Sequence, residues 1–209
     1  MANKRGLLFQ NLANIITVLG LILSFWLLII VLISPDRIWV ATIFAGLIGL
    51  SDFLDGKIAR KLDIKTFLGG ALDRLRDKIF ICPTMVILLI CYKKEMFNSF
   101  FVFTLMAAMV TTIVLLEISL FSSWLFSVIK KIDVSANRYG KRKMVLEFTA
   151  VMVWLIFIGV KKTWGFAYLF SFYCLIISLM FAAIYFAVKS LENHYQTYSQ
   201  NSIKMPPDA

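Results

Sequence analysis

Residues 51–78 read SDFLDGKIARKLDIKTFLGGALDRLRDK, and the fold is decided there. The stretch holds Asp52, Asp55, Asp73 and Asp77 within a chain that is otherwise largely apolar. Asp52 and Asp55 are three residues apart and Asp73 and Asp77 are four apart, so each pair shares one face of a helix. Two such helices, joined by a short Gly-containing turn, can bring both pairs to one point. Converging carboxylates are hard oxygen donors that suit Mg²⁺ or Mn²⁺, cations that commonly work on substrate phosphates. Gly56, directly after Asp55, leaves room for a bulky ligand to touch backbone. Ala59, four residues after Asp55, keeps the same face low. Arg60 supplies a fork of donors for phosphate oxygens. Gly69 is expected just before the second helix, where it lets the chain reverse.

Outward from this stretch, composition sets the class. The chain has 209 residues and is 60% hydrophobic, too apolar for a soluble domain of that size. The expectation is an all-α polytopic membrane protein of six transmembrane helices, forming a single membrane domain over 1–209. Its core covers about 12–191, and a polar, loose tail follows over 192–209. A short, partly basic leader at Met1 to Gln10 is placed at the membrane interface. The six helices are expected at about Leu12–Ser34, Ile38–Lys61, Gly69–Tyr92, Asn98–Ile129, Lys143–Val160 and Trp164–Leu191. Pro35-Asp36 ends the first. Cys82, Cys91 and Cys174 lie in or at the ends of apolar runs without metal-ligand spacing, which makes them packing residues.

The net charge of +10 lies beside apolar spans, so it points to anionic lipid rather than nucleic acid. Seventeen Lys and Arg residues fall on the side that holds both termini and the acidic stretch, against five on the other. The positive-inside bias therefore places both termini and the acidic stretch in the cytoplasm, in the cell inner membrane. The same residues admit a different class, a membrane transporter for a cation or a phosphate compound. Such a protein would carry its carboxylates nearer the bilayer midplane.

The series Asp52-x2-Asp55-Gly56-x2-Ala59-Arg60-x8-Gly69-x3-Asp73-x3-Asp77 resembles the signature of the CDP-alcohol phosphatidyltransferases and matches all eight of its fixed positions. The resemblance implies a phospholipid-synthesising transferase that moves a phosphatidyl group from CDP-diacylglycerol to an alcohol and releases CMP. It implies Mg²⁺ or Mn²⁺ held by Asp52, Asp55, Asp73 and Asp77, with Asp77 also the general base. The CDP moiety would meet Asn14, Thr17, Asp52, Gly56, Ala59, Arg60 and Gly69. Asn14 and Thr17 are also readable as a polar helix face or as local backbone bonds. The implied partners are CDP-diacylglycerol, an alcohol or alcohol-phosphate acceptor, the bilayer and a second copy in a homodimer.

Within that family the chain is most like the bacterial phosphatidylglycerophosphate synthases. Gly140-Lys141-x-Lys143 resembles their GKxK segment, and Asp77-Lys78 matches them as well. By that resemblance Arg138, Lys141 and Lys143 hold the phosphate of the acceptor, glycerol 3-phosphate. The same cations would also serve as an anchor on lipid headgroups. Those synthases commonly carry Arg-Glu in the fourth helix and a further Arg about two turns on. Here Leu116-Glu117 is followed by Ser122, Ser123 and Trp124, which counts against glycerol 3-phosphate and leaves inositol phosphate or phosphatidylglycerol as alternatives. Glu117 is a carboxylate at membrane depth, with a role in a polar cavity or as a helix-to-helix tie.

Overall fold

A computed structural model describes the backbone of residues 2–61, 67–96, 99–130, 138–165 and 169–203. Every element there is helical: α1 Ala2–Ile33, α2 Ile38–Lys61, α3 Phe67–Cys91, the single-turn α4 Lys93–Met96, α5 Phe100–Ile129, α6 Arg138–Trp164 and α7 Leu169–Ile203. Pro35 disfavours helix in the residue before it and separates α1 from α2. The intervening turn closes with the Arg37 N–H donating to the Ser34 carbonyl at 2.9 Å. α6 ends at Gly165, whose φ of 63° suits a residue without a Cβ. Its N–H donates back to the Lys161 carbonyl at 3.0 Å.

Several boundaries differ from expectation. α1 begins at Ala2, so the basic leader continues the first span as one helix. Gly69 falls in the first turn of α3 rather than before it. α6 begins at Arg138, five residues earlier than Lys143, because Arg, Lys and Met are good helix formers. α7 runs past Leu191 to Ile203. The first twelve residues of the expected loose tail are therefore helical. Hydropathy falls there but the helix carries on, and the Lys189 ammonium bonds Glu192 three residues on at 2.8 Å.

α1, α5, α6 and α7 each contain a stretch long and apolar enough to cross a bilayer, and α2 contributes a shorter apolar stretch at Ile38–Leu54. Large apolar side chains face outward on them, with Phe100 83% and Phe170 80% exposed. In water such faces would drive association; in lipid they are matched by acyl chains.

The chain divides into two compact units. The first is built from α1 to α4 and the part of α6 from Val151 on. Within it α1 packs on both α2 and α3. On α2 the buried residues are Ile38, Ala41, Ala45 and Ile48, a stripe at helical spacing with small residues at its centre. At the Pro35 end, the Tyr92 hydroxyl donates to the Pro35 carbonyl at 2.8 Å. The Lys162 ammonium donates to the same oxygen at 3.1 Å and to Asp36 at 3.0 Å. The Trp39 indole N–H donates to the Thr163 hydroxyl at 2.8 Å. Asp52 lies fourteen residues further along α2 than Ile38, about 21 Å at the helical rise of about 1.5 Å per residue.

The second unit comprises α5, α6 up to Ala150, and α7. α5 packs on α7. Met106, Val110, Ile113 and Leu120 on α5 and Ile176, Met180, Ala183 and Ala187 on α7 are buried at three- and four-residue spacing.

Candidate functional site

The acidic stretch ends one helix and begins the next. Asp52 and Asp55 lie on the last turns of α2, and Asp73 and Asp77 on the first turns of α3. Asn14, Asp55, Ala59, Arg60, Gly69 and Asp73 all lie on helices, but their side chains fall outside the described residues. Asp52 and Asp77 are the members of the quartet whose side chains are described. Separated by 25 positions, both are drawn to one guanidinium. Arg76 Nη2 donates to Asp52 Oδ1 and stands 3.7 Å from Asp77 Oδ1. The Arg76 side chain is buried, whereas those of Asp52 and Asp77 are 37% and 19% exposed.

α1 supplies the floor. A Cβ added at Gly20 would stand 2.7 Å from Ser51 Oγ, 3.1 Å from Arg76 Cδ and 3.3 Å from Arg76 Nη1. Only a residue without a side chain admits both groups at that distance. Ser51 is held by its own hydroxyl, which donates to the Ile48 carbonyl at 2.7 Å. Thr17 lies three residues before Gly20 on α1, so it shares that face, and it is buried. Gly56 is partly exposed on α2, four residues beyond Asp52.

The donor set suits a hard cation. Two carboxylates already gather about a positive group, and each keeps surface open to solvent. No group of three or more metal-ligating side chains comes together among the described residues.

In the second unit, the basic segment 138–143 forms the first turns of α6. Arg138 and Lys141 are exposed. The Arg142 guanidinium lies 5.7 Å from the centroid of the Phe186 ring on α7. Lys143 is different: it is buried and forms an ion pair with Glu117 of α5. Its ammonium is also 3.6 Å from Glu147, one turn further along α6. Glu117 thus makes the helix-to-helix tie. Lys143, expected to hold an acceptor phosphate, is engaged by two glutamates.

Two participants escaped the sequence reading. Glu147 was findable, because it lies four residues after Lys143 at the spacing of a helical ion pair. Arg76 carried no such signal. Its burial depends on the missing Cβ of Gly20, fifty-six positions earlier.

Similarity to known proteins agrees with this geometry. The family model for CDP-alcohol phosphatidyltransferase matches residues 10–189. Three curated relatives each bear the name CDP-diacylglycerol--glycerol-3-phosphate 3-phosphatidyltransferase. The one from Aquifex aeolicus (strain VF5) is 29% identical over 72% of this chain and 75% of its own length. The one from Wigglesworthia glossinidia brevipalpis is 25% identical over 72% and 83%. The one from Escherichia coli (strain K12) is 25% identical over 70% and 76%. With the whole acidic stretch inside the matched region, this chain belongs to the CDP-alcohol phosphatidyltransferase family.

Proposed function

We propose that the protein transfers the phosphatidyl group of CDP-diacylglycerol to the hydroxyl of glycerol 3-phosphate and releases CMP. The observation that carries this reading is the approach of Asp52 and Asp77 to one another across α2 and α3, at the positions where the family signature has its carboxylates. The acceptor is taken from the relatives, whose names specify glycerol 3-phosphate.

Asp52, Asp55, Asp73 and Asp77 are the residues assigned to hold Mg²⁺ or Mn²⁺. When bound, the cation offsets negative charge on the pyrophosphate and on the departing CMP. Asp77 takes the proton from the acceptor hydroxyl. The hydroxyl oxygen attacks the β-phosphorus of CDP-diacylglycerol. The bond from that phosphorus to the bridging oxygen breaks, and CMP leaves with the electron pair. Gly56 and Ala59 keep the α2 face low for the CDP moiety, while Arg60 donates to its phosphates. Asn14, Thr17 and Gly69 complete the CDP contacts. Arg138 and Lys141, exposed and cationic, bind the acceptor's phosphate. Lys143 shares that assignment and is positioned by Glu117 and Glu147.

The six long helices are read as six spans with both termini and the acidic stretch on the cytoplasmic side of the inner membrane. The seventeen-to-five distribution of Lys and Arg supports that orientation. The test of the reaction is CMP release by purified protein from CDP-diacylglycerol with a panel of acceptors. Release that depends on glycerol 3-phosphate is expected. Release with inositol phosphate or phosphatidylglycerol, and none with glycerol 3-phosphate, would reassign the acceptor.

A further inference from the structure

No step of the proposed reaction uses Arg76, yet its side chain is only 1% exposed within the acidic stretch. A buried charge is strongly unfavourable unless it is paired, so the fold must supply both space and counter-charge. Gly20 supplies the space: a Cβ there would come within 3.1 Å of Arg76 Cδ and 3.3 Å of Nη1. Asp52 and Asp77 supply the charge, one bonded to Nη2 and the other 3.7 Å from it. The guanidinium is thus covered by α1, while the two carboxylates it joins keep surface open to solvent. An arginine cannot lose its proton in a protein, so this positive charge is permanent.

The charge acts on the carboxylates in two ways. Without it, two anions would be held near one another in a partly buried place and would repel. With it, they are assembled before any ion arrives. The same charge also repels a divalent ion that approaches the same oxygens. The local charge presented by Asp52, Asp77 and Arg76 is −1, where the carboxylates alone would present −2.

We infer that Arg76 is a built-in counter-cation of the carboxylate cluster. It holds Asp52 and Asp77 together when no divalent ion is bound, and its charge lowers the cluster's affinity for that ion. It is a positioning residue, acting through the two aspartates. The inference rests on the assignment of those aspartates as cation ligands.

The test is Mn²⁺ binding by the full-length protein in detergent, with free Mn²⁺ followed by electron paramagnetic resonance. A variant with Asp52, Asp55, Asp73 and Asp77 all changed to Asn defines binding outside the cluster. Arg76→Gln should bind Mn²⁺ about tenfold more tightly than wild type, the scale on which one neighbouring charge shifts an ionic equilibrium. Arg76→Lys keeps the charge and should stay near wild type. In chelator, Arg76→Gln should melt below wild type, and added Mn²⁺ should raise its melting temperature by more. Equal or weaker Mn²⁺ binding by Arg76→Gln overturns the inference, as does equal tightening in Arg76→Lys. If wild type binds no more Mn²⁺ than the fourfold Asn variant, the ligand assignment itself fails and takes the inference with it. Should Arg76→Gln not fold, Arg76→Met removes the charge while keeping most of the side chain's apolar length in the space beside Gly20. Tighter Mn²⁺ binding by that variant supports the inference, and unchanged or weaker binding overturns it.

Discussion

Asp77 is at once a proposed ligand and the proposed base, and substitution separates the two roles. Asp77→Asn keeps the side chain's size and one oxygen donor, but it cannot take the acceptor's proton. A lost general base typically costs about 10²–10⁴ in rate. That defect should persist at high Mg²⁺, with CDP-diacylglycerol binding retained. Asp55→Asn should weaken both cation and CDP binding, and raised Mg²⁺ should restore part of its rate. The measurement is a cation titration of CMP release for both variants; recovery of Asp77→Asn to near wild type would leave Asp77 a ligand only. At this scale the approach of Asp52 and Asp77 was legible, because helical spacing on α2 and α3 carries both toward the turn between them. Arg76 was not, since sequence distance hides the gap left by Gly20.

The elements show which parts of the pattern speak locally. α2 was legible at both ends, because Pro35 precedes it and the acidic stretch closes it. α7 was misjudged at its end. The apolar run stops near Leu191, but the backbone helix continues into polar residues, with the Thr197 hydroxyl donating to the Asn193 carbonyl at 2.9 Å. On its far turns Tyr198 receives a 2.8 Å hydrogen bond from the Lys130 ammonium at the end of α5. The α5–α6 tie is a further element-level feature, and it is asymmetric. Lys143→Met removes the cation that Glu117 and Glu147 share, and breaking a buried pair in this way costs about 3–5 kcal/mol. Glu117→Gln leaves Lys143 with Glu147 and should cost about 1 kcal/mol, the scale of one hydrogen bond. Thermal melts in detergent should rank wild type, Glu117→Gln and Lys143→Met in that order of falling stability. Equal losses would contradict the shared-cation reading.

For the whole molecule, the helical class of the described residues was legible in the long continuous apolar runs, because such runs in lipid satisfy their backbone hydrogen bonds within one helix. The number of spans is set by bilayer thickness and insertion, and among the described residues four helices are long and apolar enough to cross. The charge distribution bears on it more directly. An alkaline phosphatase reporter, active only outside the cytoplasm, should be inactive when fused after Ala209. Activity there would mean an odd number of spans or reversed insertion. The central claim is that the α2–α3 carboxylates catalyse phosphatidyl transfer to glycerol 3-phosphate. It is tested most directly by supplying labelled glycerol 3-phosphate and CDP-diacylglycerol to purified protein and counting label in the lipid phase. The account predicts label in a new phosphodiester lipid, dependent on CDP-diacylglycerol, lost in EDTA and lost in Asp77→Asn. Full incorporation in chelator, or by Asp77→Asn, would contradict it.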